Sequence, residues 1–224
     1  MDKKVPTKKR LIKAGIKLFS QYGYAATSTR MLAAEAKVNV SAIAFHYTNK
    51  ECLYVACLDY VLAKIKAYYE ESYSKIEQTF ADNAMTPEKA RGFLENLIAL
   101  QIEVAFGEQY RTTLKLIYWE SNETADIPMH PLSSAVFERL ESIMAELLQC
   151  VANVSRERAL LAGRQINGSI IAFGEHKSLV EHILPAPEPG ESVAYWVKEE
   201  IMGNCLAIVE RLERRESLPP RLSL

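Results

Sequence analysis

Thr27, Ser28, Arg30, His46 and Lys50 place hydroxyl, guanidinium, imidazole and ammonium groups within one short span of the chain. These groups donate hydrogen bonds to anions, and beside helix N-termini they suit phosphate oxygens. Interleaved with them are Val40, Ser41, Ala42 and Phe45. Small side chains let a helix approach base edges closely, and Ala or Val can touch a thymine methyl. The chemistry these residues offer is non-covalent: phosphate contact combined with readout of a groove. Residues able to do covalent chemistry are not arranged for it. The chain has no Gly-rich phosphate loop, no His-Glu-x-x-His and no Gly-x-Ser-x-Gly. His176 and His182 stand six residues apart, off a common helix face, so with Glu175 and Glu181 they read as a solvated surface rather than a metal site. No pair of carboxylates stands out for acid–base work. The sequence therefore predicts no catalytic residue, no metal and no cofactor.

The elements that must position the candidate residues are helices. Leu11, Ile12, Ile16, Leu18 and Phe19 recur at helical spacing from Thr7 to Tyr22, and Gly23 stops the run. A hydroxyl-rich start at Thr27-Ser28-Thr29 supplies N-cap candidates for a helix ending at Ala36. After Lys37-Val38, Asn39 can cap a very short helix from Val40 to His46, and Asn49 opens a long one reaching about Phe80. Two short helices separated by a tight turn have the proportions of a helix-turn-helix, whose second helix enters the major groove. Ile43 and Tyr47 are spaced to face inward, toward Leu32 and Phe19. Val40, Ser41, Ala42, Phe45 and His46 are left to face outward. Further helices are expected over 87–106, 110–121, 131–151, 155–184 and 192–215, with the Pro-rich stretch 185–190 as the clearest loop. No strand pattern of useful length appears. The expected fold is all-α, with an N-terminal three-helix domain over 1–50 and a larger helical domain over 51–224.

Charge sharpens this division. The whole chain carries 27 Lys+Arg and 28 Asp+Glu, a net charge of −1, which by itself argues against a polyanionic partner. Residues 1–50, however, hold ten basic side chains against two acidic ones, a balance of +8, leaving −9 for the remainder. A basic module joined to an acidic body attracts phosphate backbones whatever the total charge. A solvated Lys-rich tail would give the same count. The four cysteines show no Cys-x-x-Cys spacing, so neither a disulfide framework nor a zinc or redox motif is expected. The charged start leads into an amphipathic segment rather than an apolar signal region, and no stretch approaches about 18 apolar residues. These features predict a cytoplasmic protein with no membrane partner.

The segment from Gly23-Tyr24-Ala25-Ala26-Thr27-Ser28 to Lys50-Glu51-Cys52-Leu53 resembles the DNA-binding domain of TetR-family regulators. The run Asn39-Val40-Ser41-Ala42-Ile43-Ala44-Phe45-His46-Tyr47 is similar to the CecR-like branch in particular. The resemblance implies a homodimeric repressor that binds an operator in double-stranded DNA and leaves it when a small-molecule effector binds the C-terminal domain. It places Arg30, Val40, Ser41, Ala42 and His46 at DNA-contacting positions and Lys50 at the phosphate-binding lysine. Two residues depart from the pattern. Lys37 stands where the family usually has Gly, which asks a Lys to accept a left-handed conformation. Ala44 stands where many members have a phosphate-contacting Tyr, so that contact is lost or passes to Phe45.

In the body, apolar space between helices is the usual place for a small molecule. Trp119, Glu120, His130, Phe137 and Phe173 are the candidate effector residues, His130 standing between Pro128 and Pro131. The last two long helices are the candidate dimer interface. One offers Ala159, Ala162, Gly163 and Gly168 for close packing, the other Val193, Trp196, Val197, Ile201, Leu206 and Val209. Two other functions fit parts of the pattern: an all-α enzyme with an incidental basic N-terminus, and an activator or architectural protein using the same DNA-binding module.

Overall fold

The computed structural model describes residues 5–122, 131–185 and 192–214. Among them are ten helices and no strand. They are α1 (Thr7–Ala26), α2 (Thr29–Ala36), α3 (Ser41–Tyr47), α4 (Lys50–Ala81), α5 (Pro87–Phe106), α6 (Glu108–Asn122), α7 (Pro131–Ala152), α8 (Arg156–Glu175), α9 (Lys177–Ile183) and α10 (Val193–Glu213). No described helix is long and apolar enough to cross a membrane.

Local signals set most of these boundaries. Ser28, Thr86 and Ser155 each cap a helix by accepting the backbone N–H three residues on, from Met31, Lys89 and Arg158. Asn39 Oδ1 accepts from the Ser41 N–H at 3.1 Å, and Asn49 Oδ1 from the Cys52 N–H at 2.8 Å. Each satisfies a backbone donor that a helix start leaves orphaned. Gly23 takes φ 76°, ψ 171° inside α1 and separates a last turn, Tyr24–Ala26, from the main run. Few residues other than glycine adopt that conformation without strain. The segment expected as one helix over 155–184 is two, α8 and α9, parted at His176 (φ −97°, ψ 20°), an irregularity one residue wide that apolar periodicity passes over.

The chain forms two compact units, and they do not follow the expected division at residue 50. The first comprises residues 1–68 and 108–137, the second 69–107 and 138–224. In the first unit α6 packs on α1 as extensively as α2 does. Leu116 and Ile117 of α6 are buried, as are Leu11, Phe19, Leu32, Leu53, Leu58 and Leu62. The Tyr54 ring meets Phe19 edge-on at 5.0 Å and lies 5.1 Å from Tyr24, extending this core to the end of α1. α4 comes close against α1 at Gly15. A β-carbon there would fall 2.5 Å from Cys57 Sγ, a sulfur that is buried and within 3.6 Å of the Ile12 carbonyl.

The second unit is built on α5, α8 and α10, which pack against one another. Leu94, Leu97 and Ile98 of α5, Met144 and Leu148 of α7, Ile166 of α8 and Cys205 and Val209 of α10 fill its core. Three of the four small residues expected to make a dimer seam turn inward instead, while Gly168 is exposed. Ala159 and Ala162 are buried, and a β-carbon at Gly163 would meet Met144 and Leu148 of the same chain. Val197, Ile201 and Val209 are buried as well. The periodic stripe that sequence inspection selects is the core stripe, because burial within one subunit and between two subunits draws on the same residue types. At the unit's surface Arg139 reaches Glu70 at 3.0 Å and Glu77 at 2.9 Å, its guanidinium 4.7 Å above the Tyr73 ring. Arg91 bridges Glu213 at 2.7 Å and Glu95 at 3.2 Å. These half-exposed pairs each contribute about 1 kcal/mol or less.

The turn after α2 places Lys37 at φ 54°, ψ 50°, the left-handed region anticipated from the missing glycine. Its N–H donates to Ala34 O at 3.0 Å and that of Val38 to Ala33 O at 2.9 Å, the paired bonds of a Schellman stop. The left-handed conformation costs a side-chain-bearing residue about 1–2 kcal/mol. Replacing Lys37 by Gly should therefore raise thermal stability by about 1 kcal/mol, or roughly 2–4 °C for a chain of this length. Calorimetry that found no rise would contradict the strain. Gly15→Ala should cost about 1–3 kcal/mol through overpacking, and adding Cys57→Ala should recover part of that loss. Equal unfolding temperatures for the single and double variants would place the clash elsewhere.

Candidate nucleic-acid interface

α3 is held by its inward residues. Ile43 and Tyr47 are buried, and the Tyr47 hydroxyl donates to the Lys8 carbonyl at 3.0 Å, tying the end of α3 to the start of α1. Burial, with a smaller contribution from Cys57, pushes the Tyr47 phenol up to about 12, so it remains a donor at any physiological pH. With about 100° between successive residues, Ser41 and Phe45 then point most directly away from the fold. Phe45 is 84% exposed and Val40 43%. Ser41 and Ala44 are exposed as well, while Ala42 and His46 are half-buried. The His46 ring stands edge-on to Phe45, 4.9 Å between centroids at 85°. Phe45 is thus not core. As anticipated, Ala44 leaves no hydroxyl at its position.

A shallow depression of about 610 Å³ runs beside α3, lined by Arg10, Lys37, Ser41, Ala42, Phe45 and His46 among others. Lys37 was noticed in the sequence for its backbone, not as a cation beside the outward face. Only folding back of the turn could reveal that. Lys8 and Lys37, both exposed, stand toward the two ends of α3: Lys8 Nζ lies 5.7 Å from the Tyr47 ring, and Lys37 is in the preceding turn. Arg30 is exposed in the first turn of α2, beside the Ser28 cap.

Two expected phosphate donors are committed to the fold. Thr27 is fully buried, and its hydroxyl donates to the Gly23 carbonyl at 2.7 Å and lies 3.3 Å from that of Leu18. Its side chain therefore cannot reach a phosphate; of the two adjacent hydroxyls, Ser28 is at the surface. Lys50 Nζ donates to the carbonyls of Tyr24 at 2.9 Å and Thr27 at 3.1 Å and lies 4.0 Å from the Tyr24 ring centroid. An ammonium has three donors, so one remains for an anion. Arg10 behaves similarly: Nε and Nη2 donate to the Ala36 carbonyl at 2.9 and 2.6 Å, and Nη2 also contacts the Lys37 carbonyl. A cation there satisfies the carbonyls at the end of α2.

Of the candidate effector residues, Phe137 and Phe173 have described side chains. Phe137 is half-buried in the first unit, and Phe173, 39% exposed, belongs to the second. Trp119 and Glu120 lie in α6, with their side chains outside the described set, and His130 lies outside the described residues. No group of three or more His, Cys, Asp and Glu residues able to hold a metal occurs among the described residues.

Residues 11–57 match the family model described as bacterial regulatory proteins, tetR family. The chain is 30% identical over 176 residues to the HTH-type transcriptional dual regulator CecR of Shigella flexneri, covering 74% of each protein. Its fold is similar to that of a TetR-family transcriptional regulator from Streptomyces coelicolor, with TM-score 0.66 at 16% identity over 92% of this chain and 96% of that one. It is similar also to AibR, solved with isovaleryl coenzyme A and operator DNA, with TM-score 0.63 at 13% identity over 89% and 97%. A helix-turn-helix with an exposed, cation-flanked second helix, carried on an all-α chain with such a relative, is a transcriptional regulator, and this chain belongs to the TetR family.

Proposed function

We propose that the protein is a homodimeric repressor that reads a palindromic operator through α3 and leaves it when a small molecule binds its helical body. The observation that carries this reading is the outward face of α3, exposed between Lys8 and Lys37 and joined to α4 by only Thr48 and Asn49. That joint is short and hydrogen-bonded. Thr48 takes φ 68°, ψ −53°, and the Asn49 N–H donates to the Tyr47 carbonyl at 2.7 Å across it, a strained γ-turn. A tilt of α4 would therefore carry α3 with it. An effector shifts that equilibrium only by its difference in affinity between the two positions. AibR, solved with isovaleryl coenzyme A and operator DNA, and Bacillus subtilis FadR, solved with stearoyl-CoA, are similar folds that bind a small molecule and, in AibR, DNA.

For the dimer we infer a face that one subunit leaves uncovered. Leu161 is 67% exposed on α8 and Tyr195 61% exposed on α10, and a β-carbon at Gly168 or Gly203 would meet nothing within 4 Å. To read a palindrome, a two-fold dimer needs its two copies of α3 about one helical turn of DNA apart, near 34–36 Å. The Shigella relative is called a dual regulator, which favours activation as a second reading at the same operator.

Selection from random duplexes should recover a palindrome bound in a salt-dependent way, and a reporter fused to it should rise when α3 is deleted. Binding without sequence preference would favour the architectural alternative. Arg30→Ala should weaken binding equally on all sequences and reduce the salt slope by about one unit, leaving thermal stability unchanged. Lys50→Ala should lower both affinity and unfolding temperature, because its ammonium serves two carbonyls as well as the anion. An unchanged melt would deny the first role. Leu161→Glu should turn a sedimenting dimer, twice 25.3 kDa, into a monomer. A monomeric wild-type protein would end the dimer proposal.

A further inference from the structure

We propose that Phe45 determines operator specificity by apolar contact with the 5-methyl group of a thymine in the major groove. The inference rests on the DNA-reading function proposed above and names the base feature that is read. A phenylalanine 84% exposed on a helix whose neighbours are cationic needs a reason, since a ring left in water forgoes the stabilisation of burial. On α3 and its first flanking residue, the outward side chains are Val40, Ser41, Ala42, Ala44, Phe45 and His46. None is the Arg, Lys, Asn or Gln that reads guanine or adenine by a bidentate hydrogen-bonded fork. What α3 offers instead is one hydroxyl, one imidazole and an apolar surface centred on Phe45. Of the groups exposed in the major groove, the thymine methyl is the apolar one.

The surroundings favour this occupant over an apolar protein surface. Lys8 and Lys37 stand toward the two ends of α3, and the depression beside it includes Arg10 and Lys37. A partner that meets both an apolar ring and flanking cations must be polyanionic and carry apolar projections at short intervals. A duplex containing thymine does both. Ala42 and Ala44, extending no farther than a methyl, leave the ring the most protruding group of the face. His46, edge-on at 4.9 Å, restricts where the ring can swing, so little ordering remains to be done on contact.

The test replaces thymine by deoxyuridine, which removes the methyl and keeps every hydrogen-bonding group. The duplex recovered by random selection is remade with one thymine changed at a time, symmetrically in both half-sites. Each duplex is titrated by fluorescence anisotropy at one salt concentration against the full-length wild type and Phe45→Ala. At one position, replaced in both half-sites, deoxyuridine should weaken wild-type binding about fifteenfold, which is about fourfold for each buried methyl. The same replacement should be silent in Phe45→Ala, which binds the selected duplex more weakly but still in a salt-dependent way, and which melts with the wild type because the ring is exposed. Indifference of the wild type to every replacement overturns the inference while leaving DNA reading intact. An equal deoxyuridine effect with and without the ring overturns it too, assigning the methyl to another residue. Failure to bind any duplex overturns both the inference and the function beneath it.

Discussion

The ammonium of Lys50 meets three elements at one point. It stands at the first residue of α4, donates to carbonyls of Tyr24 and Thr27 at the corner between α1 and α2, and lies against the Tyr24 ring. The recognition helix ends three residues earlier in the chain. Its direction is therefore bounded by the Tyr47–Lys8 hydrogen bond on one side and the start of α4 on the other. A half-buried ammonium must keep its donors engaged to remain charged at low cost. The lysine that the family resemblance assigns to phosphate is thus also the peg that fixes where the reading surface points. In the proposed function, anion contact and stability share one side chain.

That sharing changes the meaning of the charge count. The first fifty residues hold ten basic side chains. Arg10 is committed to carbonyls at the end of α2, Lys50 to those at the α1–α2 corner, and Lys17 pairs with Glu35 at 2.7 Å. The pairing of Lys17 is exposed and weak, so an incoming phosphate could replace it. The other two could not leave without opening the fold. Lys8, Lys9, Lys13, Arg30 and Lys37 are exposed, and they are the better measure of the field that the duplex meets. Asymmetry of charge still located the interface; its magnitude overstated what is free to bind.

What was legible in the sequence was local. Ser28, Asn39, Asn49, Thr86 and Ser155 cap helices with their own side chains within three residues, so type and position suffice to identify them. Gly23 and Lys37 are likewise decided by backbone conformation at one residue. The misreadings involve a second element. Thr27 and Ser28 are chemically near-identical in sequence, and only the arrival of Leu18 and Gly23 carbonyls buries the first. The packing of α6 on α1 joins segments about ninety residues apart with no residue pattern to announce it. Ala159, Ala162 and Gly163 have the composition of an interface and serve as core. The outward placement of Ser41 and Phe45 followed from Ile43 and Tyr47 facing inward, but the degree to which Phe45 stands clear depended on everything that fails to pack on it.

A recognition helix so poor in hydrogen-bonding forks faces a problem of discrimination. Phosphate contacts supply affinity without reading sequence. A single apolar contact separates thymine from cytosine by a few-fold, far below what is needed against a genome of competing sites. Pairing two identical readers squares each such factor, because both half-sites must match at once. The proposed two-fold dimer is therefore more than a means of coupling effector to DNA. For a surface built from Val40, Ser41, Ala42 and Phe45, symmetry is the source from which most of the specificity must come, and a change in the spacing of the two helices removes it all at once. The weak readout of one α3 makes the pair easy to switch, since release requires only that the two half-sites cease to be met together.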